Sequence, residues 1–142
     1  MDRTIKFRGK RIDCGYWIEG GFVEWTDMRG NIYHQIVSGV GYHNDIIPST
    51  LGQFTGLFDM NGKEIYEGDV FRIWLEDAVE PKGGIFAYHI VTWVKDRLLL
   101  LQIGFDYNGD FSDQWTLSKE LSDPEWEYIG SIHDHPELIN TK

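Results

Sequence analysis

The chain has 142 residues and 16.5 kDa, 42% of them hydrophobic and 25% charged. That suits one soluble domain, or two small ones sharing a core, and needs no disulfide or structural metal to fold. The lone Cys14 excludes an internal disulfide and a zinc site of several thiolates. A net charge of −10 disfavours a nucleic-acid backbone as partner unless a local basic patch overrides it.

In chain order, period-two alternation dominates and helical periodicity is nearly absent. Ile5 and Phe7 alternate with Lys6 and Arg8, which predicts a half-buried first strand. Tyr16–Glu19 and Phe22–Trp25 flank Gly20-Gly21 and predict a hairpin. Residues 26–31 read as polar loop, Ile32–Val37 as a strand, and Ser38–Gly41 as a Gly-rich loop. Pro48 cannot donate to a ladder, so Ile46-Ile47-Pro48 marks an edge or a boundary. Thr50–Leu57 and Lys63–Tyr66 flank Asn61-Gly62, a turn pair that accepts positive φ, and predict a second hairpin. Val70–Leu75 follows as a strand, 76–84 as a long loop, Ile85–Val94 as the longest strand, and Leu98–Gly104 as its return. Residues 106–112 read as loop. Thr116–Ser122 is the one expected helix, capped by Thr116 and closed by Pro124. Glu125–Ile132 is the last expected strand, and no internal repeat stands out.

The N-terminus lacks the apolar run of a signal peptide, and no segment approaches the ~18 apolar residues of a membrane span, so a cytoplasmic protein is expected. Residues 1–11 hold five cations against Asp2, whereas residues 106–137 hold nine acids against Lys119. The two ends could pair, within one subunit or between subunits, or the acidic end could face a basic partner. Six Trp, seven Tyr and eight Phe are more rings than a small core needs, although small barrels use rings as filler.

Five separated motifs carry a family resemblance: Ile5-Lys-Phe-Arg-Gly-Lys10; Gly15-Tyr-Trp17; Pro48-Ser-Thr-Leu-Gly-Gln-Phe-Thr-Gly-Leu57; Asp59-Met-Asn-Gly-Lys-Glu-Ile-Tyr-Glu-Gly-Asp-Val70; and Tyr128-Ile-Gly-Ser-Ile132 with His135-Pro-Glu-Leu138. Their order and spacing closely resemble the YopX-like proteins of phages and prophages. The resemblance implies an SH3-type β-barrel with an added N-terminal β region, encoded in a phage or prophage and working inside a bacterial host. It brings no catalytic, metal or cofactor residue. The chain departs from the family pattern at Ser131, where Asn is expected, and at His133-Asp134-His135.

Those two histidines are the one local metal candidate, because i and i+2 on a strand share a face. Glu137 could add a carboxylate, but with no third ligand fixed by spacing a solvated tail is the expected reading. Glu64, Glu67 and Asp69 sit beside turns, where carboxylates ordinarily accept backbone N–H bonds, and His89 reads as a wall residue of the longest strand. No nucleophile elbow, phosphate-binding glycine pattern or cofactor motif is present.

The expected architecture is all-β: an N-terminal β meander over 1–54 and an SH3-like barrel with a C-terminal tail over 55–142, with at most one short helix. The expected role is a non-enzymatic protein-interaction module that self-associates as a homo-oligomer, with no cofactor and no membrane partner. Trp17, Trp25, Trp74 and Trp93 are the expected contact residues, since Trp is enriched among interface anchors. Two other readings stay open. A nucleic-acid accessory protein would use Lys6, Arg8 and Lys10 beside exposed rings. A metal-assisted hydrolase would need carboxylates and imidazoles converging in a pocket.

Overall fold

A computed structural model describes residues 4–39, 41–75, 85–94, 97–105, 114–116 and 125–136; for residues 75, 85, 93–94, 97–105 and 114–116 it describes the backbone alone. The described residues form eleven strands: β1 (Phe7–Lys10), β2 (Trp17–Thr26), β3 (Ile32–Ser38), β4 (Tyr42–Asp45), β5 (Gly52–Phe58), β6 (Glu64–Tyr66), β7 (Asp69–Leu75), β8 (Ile85–Val94), β9 (Arg97–Phe105), β10 (Gln114–Thr116) and β11 (Trp126–Ser131). A 3-10 turn, Pro48–Thr50, precedes β5. The protein is all-β, with two antiparallel sheets ordered β4-β3-β2-β1-β5-β6 and β10-β9-β8-β7-β11. No α-helix and no closed barrel occur among the described residues. Of the expected helix over 116–122, only Thr116 is described; it lies in β10 opposite Leu99.

Two compact units divide the chain, Met1–Gly56 and Leu57–Lys142. In the first, Gly20-Gly21 makes no hairpin turn. β2 runs straight through it and changes partner there: residues 17–20 pair with β1 and residues 21–26 with β3. The reason is close approach, since a Cβ on Gly20 would lie 2.1 Å from the Val37 carbonyl oxygen. The meander curls until its ends meet. Arg11 bridges Ile46, Ile12 N–H donates to the Asp45 carbonyl at 3.0 Å, and Ile47 N–H donates to the Lys10 carbonyl at 2.8 Å. Ile36, Ile46 and Phe54 are buried, and the absence of a side chain at Gly9 makes room for Ile46. Thr50 Oγ1 accepts from Lys10 N–H at 2.9 Å and so ties the 3-10 turn to β1. β4, polar in sequence, is held by pairing with β3.

In the second unit, Ile65, Phe71, Val91 and Trp126 form the core, with Leu57, Ile73 and Tyr128 packed on it. His89 is buried in this wall against the edge of Trp126, ring centroids 5.0 Å apart. Asp69, fully buried, accepts from Tyr66 N–H at 2.8 Å, the turn role its position suggests.

Both units carry one turn design, of which the sequence reading gave the Asn61-Gly62 hairpin but not its counterpart in the first unit. The polar loop expected over 26–31 spans 27–31, where Asp27-Met-Arg-Gly-Asn31 closes its hairpin as Asp59-Met-Asn-Gly-Lys63 closes the other. In each, the Asp N–H donates to the carbonyl four residues on, and the Gly N–H donates back to the Asp carbonyl. Oδ1 of Asp27 accepts from the N–H groups of Arg29 and Asn31, and Oδ1 of Asp59 from those of Asn61 and Lys63. Gly30 and Gly62 take φ of 90° and 79° as the left-handed residue of a three-residue hairpin loop.

Candidate functional site

Alternation along β7 places Arg72 and Trp74 on one face of the second unit's sheet. Register sets Trp74 opposite Phe86, and Arg72 between Tyr88 and Glu127. The Arg72 guanidinium lies 3.9 Å from the Phe86 ring centroid, and its Nε donates to Glu127 Oε1 at 2.7 Å. Glu127, with Tyr88, holds the Arg72 pKa above its ordinary value. Trp74 meets Phe86 edge-on at 4.8 Å and remains 44% exposed. The Asp59–Lys63 hairpin supplies the opposite rim. Met60 is half exposed there, and Lys63 Nζ stands 4.7 Å over the Tyr128 ring. Together they border a shallow groove of about 430 Å³.

The groove offers ring faces, a methionine and the Arg72–Glu127 ion pair. Asp59 spends its Oδ1 on the turn, and Arg72 is engaged by Glu127. Rings and an ion pair side by side suit contact with planar and apolar groups.

The basic strand residues Lys6, Arg8 and Lys10 share a face, and Trp17 joins them. Arg8 lies 4.4 Å and Lys10 Nζ 5.4 Å from the Trp17 ring centroid, while Lys6 stands 5.4 Å from that of Phe54 and 3.8 Å from Glu19. Arg8 is buried, so this strand turns much of its charge toward its own rings. Trp25 lies at the other end of β2, 43% exposed and stacked on Tyr33 at 4.4 Å. The backbone of Trp93 stands in β8 opposite Leu98, and its side chain lies outside the described residues.

The two histidines do not stand on a strand. Residues 132–134 form a turn in which Asp134 and His135 both donate their N–H to the Ser131 carbonyl. Off a strand, positions i and i+2 need not share a face, so His133 and His135 are not paired by that geometry. The rings pack on glycines instead, His133 against Gly68 and His135 against Gly130. No group of three or more His, Cys, Asp or Glu able to hold a metal occurs among the described residues.

Sequence reasoning found Trp74 and missed Met60, Lys63, Arg72, Phe86, Glu127 and Tyr128. Alternation alone would pair Arg72 with Trp74. The cross-strand members needed register, which is set by pairing between distant segments.

Fold and groove together define an all-β protein of two small antiparallel units with an aromatic, charge-ordered surface in the second. The family model for the YopX protein matches residues 6–140, and the chain belongs to that family. The crystal structure of protein EF1440 from Enterococcus faecalis is similar in fold, with a TM-score of 0.52 and 20% identity over 97% of this chain and 99% of that one. No protein with a curated description matches the sequence. Among the described residues, no helix is long and apolar enough to cross a membrane.

Proposed function

We propose that this is a phage- or prophage-encoded, non-enzymatic protein-interaction module, working in the host cytoplasm, that binds other chains and copies of itself. We read the second unit's sheet as the wall of an SH3-type barrel. The observation that carries the functional reading is the groove beside Trp74, where half-exposed Trp74 and Met60 flank the Arg72–Glu127 pair. A half-exposed ring brings a large apolar area to a partner, which is what an interface anchor needs. The opposite charges of the two chain ends favour head-to-tail contact between copies.

Trp74→Ala tests it. The variant is expected to keep its far-ultraviolet circular dichroism and lose self-association, read as a mass reduced to 16.5 kDa by light scattering. Unchanged association in a folded Trp74→Ala protein would remove the groove from the account.

A second reading, a nucleic-acid accessory role, draws on Trp17 between Arg8 and Lys10. It requires retention on single strands that weakens steeply with salt. The net charge of −10 opposes it.

A further inference from the structure

The outward face of β2, β3 and β4 in the first unit carries a second, independent surface. Trp25 and Tyr33 are direct cross-strand partners, as are Gln35 and Asp45. The nearly buried Gln35 amide joins them: its Oε1 accepts from Trp25 Nε1 at 2.9 Å, and its Nε2 donates to Asp45 Oδ1 at 2.8 Å. His43 Nδ1 also reaches Gln35 Oε1, at 3.1 Å. That oxygen can only accept, so Nδ1 carries the proton in this contact. Tyr33 in turn donates its hydroxyl to Asp27 Oδ2 at 3.1 Å.

The hydrogen-bond ledger of this face is one-sided. The indole N–H and the phenol O–H are both spent inside the cluster, and the Gln35 amide is bound on both sides. Left outward are Trp25, 43% exposed with Tyr33 stacked on one of its ring faces, and the remaining lone pairs of exposed Asp45. A phosphate or a carbonyl would find little to accept from. A group that brings positive charge, several N–H donors and a flat face matches it. Asp27 and Asp45 both raise the Tyr33 pKa, so both carboxylates act on the aromatic pair. Of the cations near by, Arg11 is matched by Asp13 at 2.7 Å, and what Asp27 holds of Arg29 is its backbone N–H, not its guanidinium.

We propose that this face binds an arginine side chain of a basic segment in a partner protein, the guanidinium stacking on Trp25 and donating to Asp45. Arginine is favoured over lysine because its planar fork stacks on an indole and meets a carboxylate with paired donors. The chain's own basic strand is not the source, because its one arginine, Arg8, is buried against Trp17. The inference does not depend on the Trp74 groove, and its test leaves that groove intact.

The test is a titration of the isotope-labelled full chain with acetyl-Gly-Arg-Gly-amide, read on the Trp25 indole N–H and Gln35 amide resonances. The citrulline version, equal in shape but uncharged, is the control. The arginine peptide is expected to move those resonances at concentrations at least about threefold below the citrulline peptide. Asp45→Asn keeps the bond from Gln35 and removes the charge, and is expected to weaken arginine binding roughly two- to fivefold. Trp74→Ala is expected to change nothing here. Equal response to both peptides, no loss in Asp45→Asn, or shifts confined to the surroundings of Trp74 would overturn the proposal.

Discussion

Asp27 and Asp59 are the residues on which local order turns, each satisfying backbone N–H groups that a hairpin tip otherwise leaves to water. The bonds from Asn31, with those from Arg29 and Tyr33, hold the Asp27 pKa below its ordinary value. A lowered carboxyl pKa means the folded chain binds fewer protons than the unfolded one. The stability from Asp27 is therefore present above the usual Asp value of about 3.9 and is lost as pH falls below it. Tyr33, whose pKa is raised by Asp27, works in the opposite sense: its contribution is present below about pH 10 and is lost above it. A pH series of thermal midpoints should show the acid loss, and Asp27→Asn should flatten it. Asp59 is nearly buried, and Asp59→Ala should cost about 1–3 kcal/mol by urea unfolding, since two N–H groups lose a charged acceptor. Gly20→Ala should cost roughly 1–3 kcal/mol or more, because the new Cβ would press on the Val37 carbonyl oxygen.

At the scale of elements, strands with strong alternation or β-branched runs were legible: Ile85–Val94 is β8 to the residue, and β7 and β3 differ from expectation by one residue at an end. The failures share a physical cause. Gly20-Gly21 looks like a turn in isolation, yet β1 and β3 both need the backbone of β2 there, and a glycine lets Val37 come close. β4, Tyr-His-Asn-Asp, has little strand propensity and exists because β3 offers a ladder. The repeated Asp-Met-x-Gly tip was visible in the letters, but its meaning lies in the side-chain acceptor of the Asp, which composition does not display. If the two tips are one design, Asn61→Arg, which copies the residue at position 29, should leave stability within about 0.5 kcal/mol. Gly62→Ala should cost about 1 kcal/mol, because φ there is 79°. Denaturant midpoints of the two variants would separate these effects.

At the scale of the molecule, family membership was readable because five motifs keep their order, whereas the groove was not, because its walls come from β7, β8, β11 and the Asp59–Lys63 hairpin. A basic N-terminal strand and an acidic C-terminal third predict association through complementary charge, which salt weakens within a Debye length of roughly 10 Å at 0.1 M. Sedimentation equilibrium of the intact chain, over a concentration series at low and high salt, puts this to the test most directly. The account predicts a mass above 16.5 kDa at low salt that falls toward that value as salt rises. A mass of 16.5 kDa at every concentration and every salt would contradict it.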